Sequence, residues 1–597
     1  MPIGKPEAFS SRVSVLPLVR GRFAAWWKQR HATSPDPSLP HGLENKPPDH
    51  IGDAAWPTCQ FADLALTPAR LFLLYAAAAL AYRMPAVLYF DLNWDESLYR
   101  LIGNSLVSGH APYTEFWDRK PVGIFMIMAA IQIAFGKSLL ALRTVTSIVV
   151  AFSAYLLAMN SRSIIPNLPL TGIVAGFLYI IYSTHNGGEG TNTELFYTPA
   201  GLAGLLLAFK AARSPLTRAL VLGLAAGLLM GVAVQIKQVA IFDILAYAAI
   251  YLVTQVNDLS RSNLAHHSRI AIAAAAGILL PTLFVIVWYT VIGRLDAFYG
   301  ANFAANIDLI EDYAPKFNIP GLDVGLRGFS VLIAGTVLTL VIGPFLANTR
   351  ELRRGLLAIF LWLAAMAISL LFLRRFADHF FLQMLPSVAF ATAFGMVLAA
   401  EAAAPARLVP AGVLLCTALI AAWGGAPQFN AGAEVLWRRY VDGVAHWGDK
   451  TATIGQAIRG RTQHPDDVYV FGRLLGVYEV TGTTPPTRFP FSEHLFSEYA
   501  AVDGETELNR ILGNSPRFIV CDDNWLNAMP ATDARTASVF GALHQALSQN
   551  YVIDGHVGAF RSWGGGTVGT RVGATVFRLR GTPGIRPTPG LQYDAAP

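Results

Sequence analysis

Long runs of apolar residues, separated by short polar turns, fill most of residues 70–424. Crossing the hydrocarbon layer takes roughly 20 apolar residues in a helix. Eleven segments are expected to do so: 70–89, 140–159, 167–184, 193–209, 219–236, 238–255, 270–292, 328–347, 356–373, 380–400 and 408–424. The run 121–136 (PVGIFMIMAAIQIAFG) is shorter, and it either spans or lies at the interface. After 425 the pattern changes. Short apolar runs such as VYVFG (468–472), RFIVCDD (517–523) and TVFRL (575–579) alternate with polar stretches and read as strands. Residues 425–597 are therefore expected to form a small α/β domain. Residues 1–68 are polar and Pro-rich, which predicts a largely disordered tail.

Charge decides the orientation. Cytoplasmic turns collect Lys and Arg. If 121–136 does not cross, one set of turns gathers Arg162, Lys210, Arg213, Arg218, Arg261, Arg269, Arg350, Arg353, Arg354 and Arg407. Eleven spans follow, with a cytoplasmic N-terminus and an extracytoplasmic C-terminus in a cytoplasmic (inner) membrane. The fold class is then mainly α: a polytopic membrane bundle over 69–424, with an extracytoplasmic domain over 425–597. Every chemically rich loop falls on the outer face: 91–139, 183–194, 293–327, 373–379 and the region after 425.

Composition agrees, with 53% hydrophobic and only 14% charged residues. The net charge of +6 is accounted for by the basic turns, and no basic helix interleaved with aromatics points to nucleic acid. Cys59, Cys416 and Cys521 share neither a compartment nor a metal-ligand spacing, so no disulfide framework is expected.

Candidate chemistry starts in FDLNWDESLYR (90–100), where Asp95 and Glu96 stand side by side at the membrane boundary. Ionised groups close to hydrocarbon are costly and usually face a cavity. In SLVSGHAPYTEFWDRKPVGIF (105–125), Lys120 precedes Pro121 and is placed to hold a lipid phosphate as a point charge. The succession D-E-x2-Y, G-x2-P-Y and W-D-x-K-P resembles the first external loop of the GT-C glycosyltransferases, in the branch of protein O-mannosyltransferases and lipid A aminoarabinose transferases. It is carried here by Asp95, Glu96, Tyr99, Gly109, Pro112, Tyr113, Trp117, Asp118, Lys120 and Pro121. Val122 stands where that family usually has a second Pro. Asn192, Thr193 and Glu194 before the fourth span, Gln235 and Lys237 at a tight turn, and RRFADHFFLQMLP (374–386) extend the resemblance.

The resemblance implies transfer of a hexose or pentose from a polyprenyl-phosphate carrier, with inversion, to an envelope glycolipid, polysaccharide or protein. That chemistry needs a carboxylate for the acceptor hydroxyl and cations for the departing phosphate. Asp95 is the expected base and Glu96 a secondary carboxylate. Lys120, Arg374, Arg375 and His379 are expected at the phosphate, with Tyr99, Tyr113, Asp118, Glu194 and Lys237 lining the cavity. Arg374 and Arg375 lie on the outer side, against the positive-inside bias. Asp95, Glu96, Asp118 and Glu194 could also gather round a divalent metal ion, which the sequence leaves open. A transporter or flippase of a lipid-linked substrate is the alternative. It predicts repeat symmetry and midplane charges, neither of which is evident.

Overall fold

The computed structural model describes residues 67–582, except 257, 314–317, 374–375, 406–407, 445, 527–533, 559, 565–566 and 572. The expected disordered tail thus lies outside the described residues up to position 66.

Helices dominate as far as residue 440. In chain order they are α1 (Pro68–Arg83), α2 (Trp94–Val107), α3 (Val122–Phe135), α4 (Leu139–Ile164), α5 (Pro169–Tyr182), α6 (Thr193–Ala212) and α7 (Leu216–Ile236). There follow α8 (Ala240–Gln255), α9 (Arg261–Val291), α10 (Ile319–Gly328), α11 (Ser330–Leu346), α12 (Arg350–Leu373), α13 (Leu385–Ala403) and α14 (Val409–Tyr440). Their starts carry local signals: Thr67 accepts from the Arg70 N–H with Pro68 in the first turn, and Ser138 caps α4.

Each of the eleven predicted segments forms a helix. Among the described residues, eight helices are long and apolar enough to cross a bilayer, or nine if α10 and α11, bent by 83°, count as one. Two predicted spans, α5 and α8, are shorter, at 14 and 16 residues. The chain is a multi-pass membrane protein. Small residues let the helices approach closely: a Cβ at Gly227 of α7 would stand 1.9 Å from the Ala274 carbonyl of α9.

Successive helices alternate between two ends of the bundle. At one end, Arg83 closes α1 against the 183–190 turn, Tyr289 of α9 reaches the Pro112 carbonyl, and Arg439 of α14 reaches the Leu88 carbonyl. At the other, Ile165 meets Gly355, and Ala211, Ala219 and Ile270 form a small core. The segment 121–136 does not alternate. Lys120 lies 3.7 Å from Asp95 just before α3, and Arg143, in the second turn of α4, lies 2.7 Å from Glu96. The chain leaves and rejoins neighbouring residues, so α3 returns to the end it started from, packed on α2 where Gly103 meets Met128.

Beyond α14, a four-stranded sheet has the order β1-β2-β6-β3, with β1 (Val468–Phe471) parallel to β2 (Phe518–Asp522). The pairs of β6 (Ala574–Leu579) with β2 and with β3 (Tyr551–Val557) are antiparallel. A separate hairpin joins β4 (Phe560–Gly564) and β5 (Thr567–Arg571). Both faces of β1 and β2 are buried. Val468, Val470 and Phe518 face the core shared with α15 (Lys450–Arg459), while Tyr469, Phe471 and Ile519 face α16 (Gly504–Gly513) and α17 (Ala534–Asn550). That two-sided burial explains why these strands read as unbroken apolar runs. The region lies on the first loop: Trp94 stacks on Phe491, Trp117 N–H donates to the Arg488 carbonyl at 2.8 Å, and Arg100 pairs with Glu479.

Candidate active site

Asn93 caps α2 by accepting from the Asp95 N–H, so Asp95 and Glu96 occupy its first turn, where the helix dipole favours negative charge. Adjacent residues on a helix point about 100° apart. The two carboxylates therefore face different surroundings. Asp95 shares its face with Tyr99, one turn on, and looks toward Lys120 and His379.

Asp95 is 1% exposed. Lys120 Nζ stands 3.7 Å from Oδ1 and His379 Nε2 stands 3.6 Å from Oδ2, beyond hydrogen-bond length. Among the described residues, both Asp95 oxygens, His379 Nε2, the Tyr99 hydroxyl and Asp118 Oδ2 are buried with no hydrogen-bond partner. Buried polar groups are usually paired, and such a cluster suits a polar ligand. Burial alone would raise the Asp95 carboxyl, but Lys120, His379, Lys237 and Arg119 outweigh it and hold it below the usual carboxylate range. Burial pushes Asp118 up, against Lys120 and Arg119.

Lys237 ends α7 at the turn into α8, pairs with Glu194 at the start of α6, and lies over the Phe380 ring. Burial lowers its pKa, and Glu194 opposes that shift. Gly123 makes the juxtaposition with the Lys120 segment possible, because a Cβ there would come within 2.4 Å of the Gln235 carbonyl. Lys120 also lies 5.6 Å from the centre of the Tyr99 ring.

Two predicted residues sit elsewhere. Glu96 is fully committed: Arg143 holds Oε1 at 2.7 Å and the Thr191 N–H donates to Oε2 at 2.8 Å. These partners hold its carboxyl below the usual range despite burial. Tyr113 spends its hydroxyl on the Lys120 carbonyl at 2.6 Å and has a positive φ of 68°, so it shapes the loop. Arg374 and Arg375 lie outside the described residues. The four carboxylates do not gather round one point, since Asp95, Glu96 and Glu194 each face a different basic side chain. Among the described residues no three His, Cys, Asp or Glu side chains converge as a metal-ligand set.

Sequence reasoning passed over two arginines. Arg143 binds the carbonyls of Ala86, Tyr89 and Phe90 as well as Glu96. Arg83 collects the carbonyls of Ser183, Gly188, Glu189 and Gly190. Both lie at the site end of apolar helices, away from the basic turns, and the argument used for Arg374 and Arg375 would have found them.

No protein-family model matches the chain, and no curated protein matches it in sequence. Among solved structures, ArnT from Cupriavidus metallidurans in the apo state is similar at a TM-score of 0.52 and 13% identity, over 86% of this chain and 99% of that one. ArnT from Cupriavidus metallidurans bound to undecaprenyl phosphate is similar at 0.51 and 15% identity, over the same shares. With nearly the whole of ArnT matched and a helical bundle whose loops meet beneath an α/β region, the chain has the fold of ArnT.

Proposed function

We propose that this protein transfers a sugar from a polyprenyl-phosphate donor to an acceptor on the outer side of the cytoplasmic membrane, with inversion. The observation that carries this reading is Asp95: a buried carboxylate with no hydrogen-bond partner among the described residues, flanked by Lys120 and His379. ArnT, which shares the fold, was crystallised with undecaprenyl phosphate. The basic turns gather at the opposite end of the bundle, which supports an extracytoplasmic site.

In the proposed step an acceptor hydroxyl attacks the anomeric carbon while its proton passes to Asp95. The bond from that carbon to the phosphate oxygen breaks, and the carrier leaves with the electron pair as polyprenyl phosphate. Lys120 and His379, with Arg374 and Arg375, stabilise charge developing on that phosphate. Lys237, held by Glu194, adds positive potential, and Tyr99 and Asp118 line the cavity. Glu96 acts through position: with Arg143 it anchors the start of α2. The transporter alternative has less support, because these ionisable groups cluster at one end of the bundle.

The test is mass spectrometry of envelope glycans and lipids from cells carrying wild type, Asp95→Asn or Lys120→Ala. Removing the base is expected to lower transfer by about 10²–10⁴-fold. Wild-type modification by Asp95→Asn would overturn the assignment.

A further inference from the structure

Asp95 has the position of a base and no direct route to solvent for a proton it collects. It is 1% exposed, and neither oxygen has a hydrogen-bond partner among the described residues. Of the two groups flanking it, the Lys120 ammonium already carries all its protons and accepts none. His379 is the other, and an imidazole can accept.

His379 is held at three points. Its Nδ1 lies 3.4 Å from Asp378 Oδ1, and its backbone N–H donates to the same oxygen at 2.7 Å. The Phe380 ring stands perpendicular to it, with ring centres 4.7 Å apart. A Cβ on Gly187 would lie 3.4 Å from His379 Cβ, so the 183–190 turn packs against it. A carboxylate only accepts, so the proton of the neutral ring sits on Nδ1 and Nε2 keeps its lone pair. That lone pair faces Asp95 Oδ2 at 3.6 Å, with Nε2 buried and unpartnered among the described residues. Hydrogen bonds used in catalysis are often this long in a free enzyme and tighten when substrate binds. At the other end of the line, the Asp378 side chain is 45% exposed.

The charges around the ring agree with this order. Asp95 of α2 is matched with Lys120, and Glu194 of α6 with Lys237. Asp118 and Arg119 balance one another. Asp378 is the carboxylate left over among the described residues. Of the helices packed on this segment, α10 carries only the exposed Asp323–Arg327 pair, and α12 and α13 bring no described charge to this end. A proton arriving on His379 thus completes a pair.

We infer that His379 is the proton outlet of Asp95, and that Asp378 is a positioning residue, which holds the ring in the tautomer able to receive. This rests on the transferase reading above and adds a step to it. The proton of the acceptor hydroxyl passes to Asp95 Oδ2 and from there to His379 Nε2, which leaves Asp95 ionised again. The imidazolium so formed stands beside the departing phosphate, so positive charge arrives there as negative charge develops. When the carrier leaves and water enters, Nε2 gives the proton to water and the neutral ring is restored.

The experiment uses membranes from cells that make the product that Asp95→Asn lacks, with their own donor and acceptor. Mass spectrometry follows the initial rate at which that product appears. His379→Ala should slow the rate by about 10²-fold. Imidazole added above pH 7, where it is neutral, should recover at least about tenfold of that loss. Guanidinium at equal concentration, a cation that cannot take up a proton, should recover none. Asp378→Asn should be about tenfold slower, because the imidazolium loses its carboxylate, and Asp378→Glu should restore most of the rate. Charge alone predicts the reverse, since removing an anion beside the phosphate site favours the departing phosphate. Equal recovery by guanidinium would make His379 a fixed cation for the phosphate, and a wild-type or faster rate in Asp378→Asn would strip that residue of its role. Either overturns the inference, as does recovery by neither additive in a His379→Ala protein that keeps the wild-type melting temperature. If His379→Ala loses its fold, the Asp378 variants decide alone. If no product depends on Asp95, it is the transferase reading that falls.

Discussion

Asp95 and Glu96 are neighbours in sequence and opposites in circumstance. Glu96 forms a buried ion pair with Arg143, and breaking such a pair strands a charge at a cost of about 3–5 kcal/mol. Glu96→Gln is therefore expected to lower the melting temperature and the yield of folded protein. Asp95 has no hydrogen bond to lose among the described residues, but the cations that hold its carboxyl down stabilise its charge, so Asp95→Asn should lower the melting temperature less than Glu96→Gln does while removing transfer. Thermal unfolding of the two variants side by side separates these roles. The cations around Asp95 also predict a pH signature. They hold its pKa down in the free protein, and a bound donor phosphate offsets them, leaving burial to raise it. The acid limb of kcat, which reports the bound complex, should then lie at higher pH than that of kcat/KM for the donor. Coincident limbs would place the titrating group elsewhere.

Among the elements, α3 matters most for topology. An apolar helix of 14 residues is about 21 Å long, short of the roughly 30 Å hydrocarbon core. Length alone does not settle the matter, since α5 has as many residues and changes ends. The contacts at both ends of α3 decide it. In a cysteine-free background, His110→Cys and Lys137→Cys should react with an impermeant maleimide from the same side of the membrane, and Arg213→Cys from the other. Reaction of His110→Cys and Lys137→Cys from opposite sides would mean that α3 crosses.

At the scale of the whole molecule, the C-terminal region closes over the first loop through buried polar contacts. Asp91 accepts from Ser97, Thr451 and the Gly476 N–H, and burial, with Asp449 adding to it, pushes its carboxyl up to about 6. A carboxyl whose folded pKa is raised contributes stability fully below the unfolded value of 3.8, and loses it as pH rises through about 6. Asp91→Asn, uncharged throughout, should flatten the fall in melting temperature between pH 4 and 6 and unfold at a higher temperature than wild type at pH 7. An unchanged pH profile would remove Asp91 from the docking surface. Glu479→Ala tests the same seam, since it leaves buried Arg100 without its carboxylate. A loss of roughly 1–3 kcal/mol is expected from thermal or denaturant unfolding.

Hydropathy and loop charge by themselves determined the eleven helices and the grouping of their turns, whereas the change of material expected after 425 falls beyond 440, because α14 runs on to Tyr440. These are one-dimensional properties, set by the bilayer's thickness and by where Lys and Arg accumulate. The family resemblance singled out Asp95, Lys120, Glu194, Lys237 and His379, and the fold brings them together from five separate stretches of chain. The tertiary structure alone decided that Glu96 faces away from Asp95, because the angle between adjacent side chains depends on the backbone being helical there. It alone showed that Arg83 and Arg143 bind backbone carbonyls, and that α3 turns back. Such facts depend on which segments meet in space, and hydrogen-bonded partners up to 385 residues apart, such as Asp91 and Gly476, leave no mark on local sequence pattern.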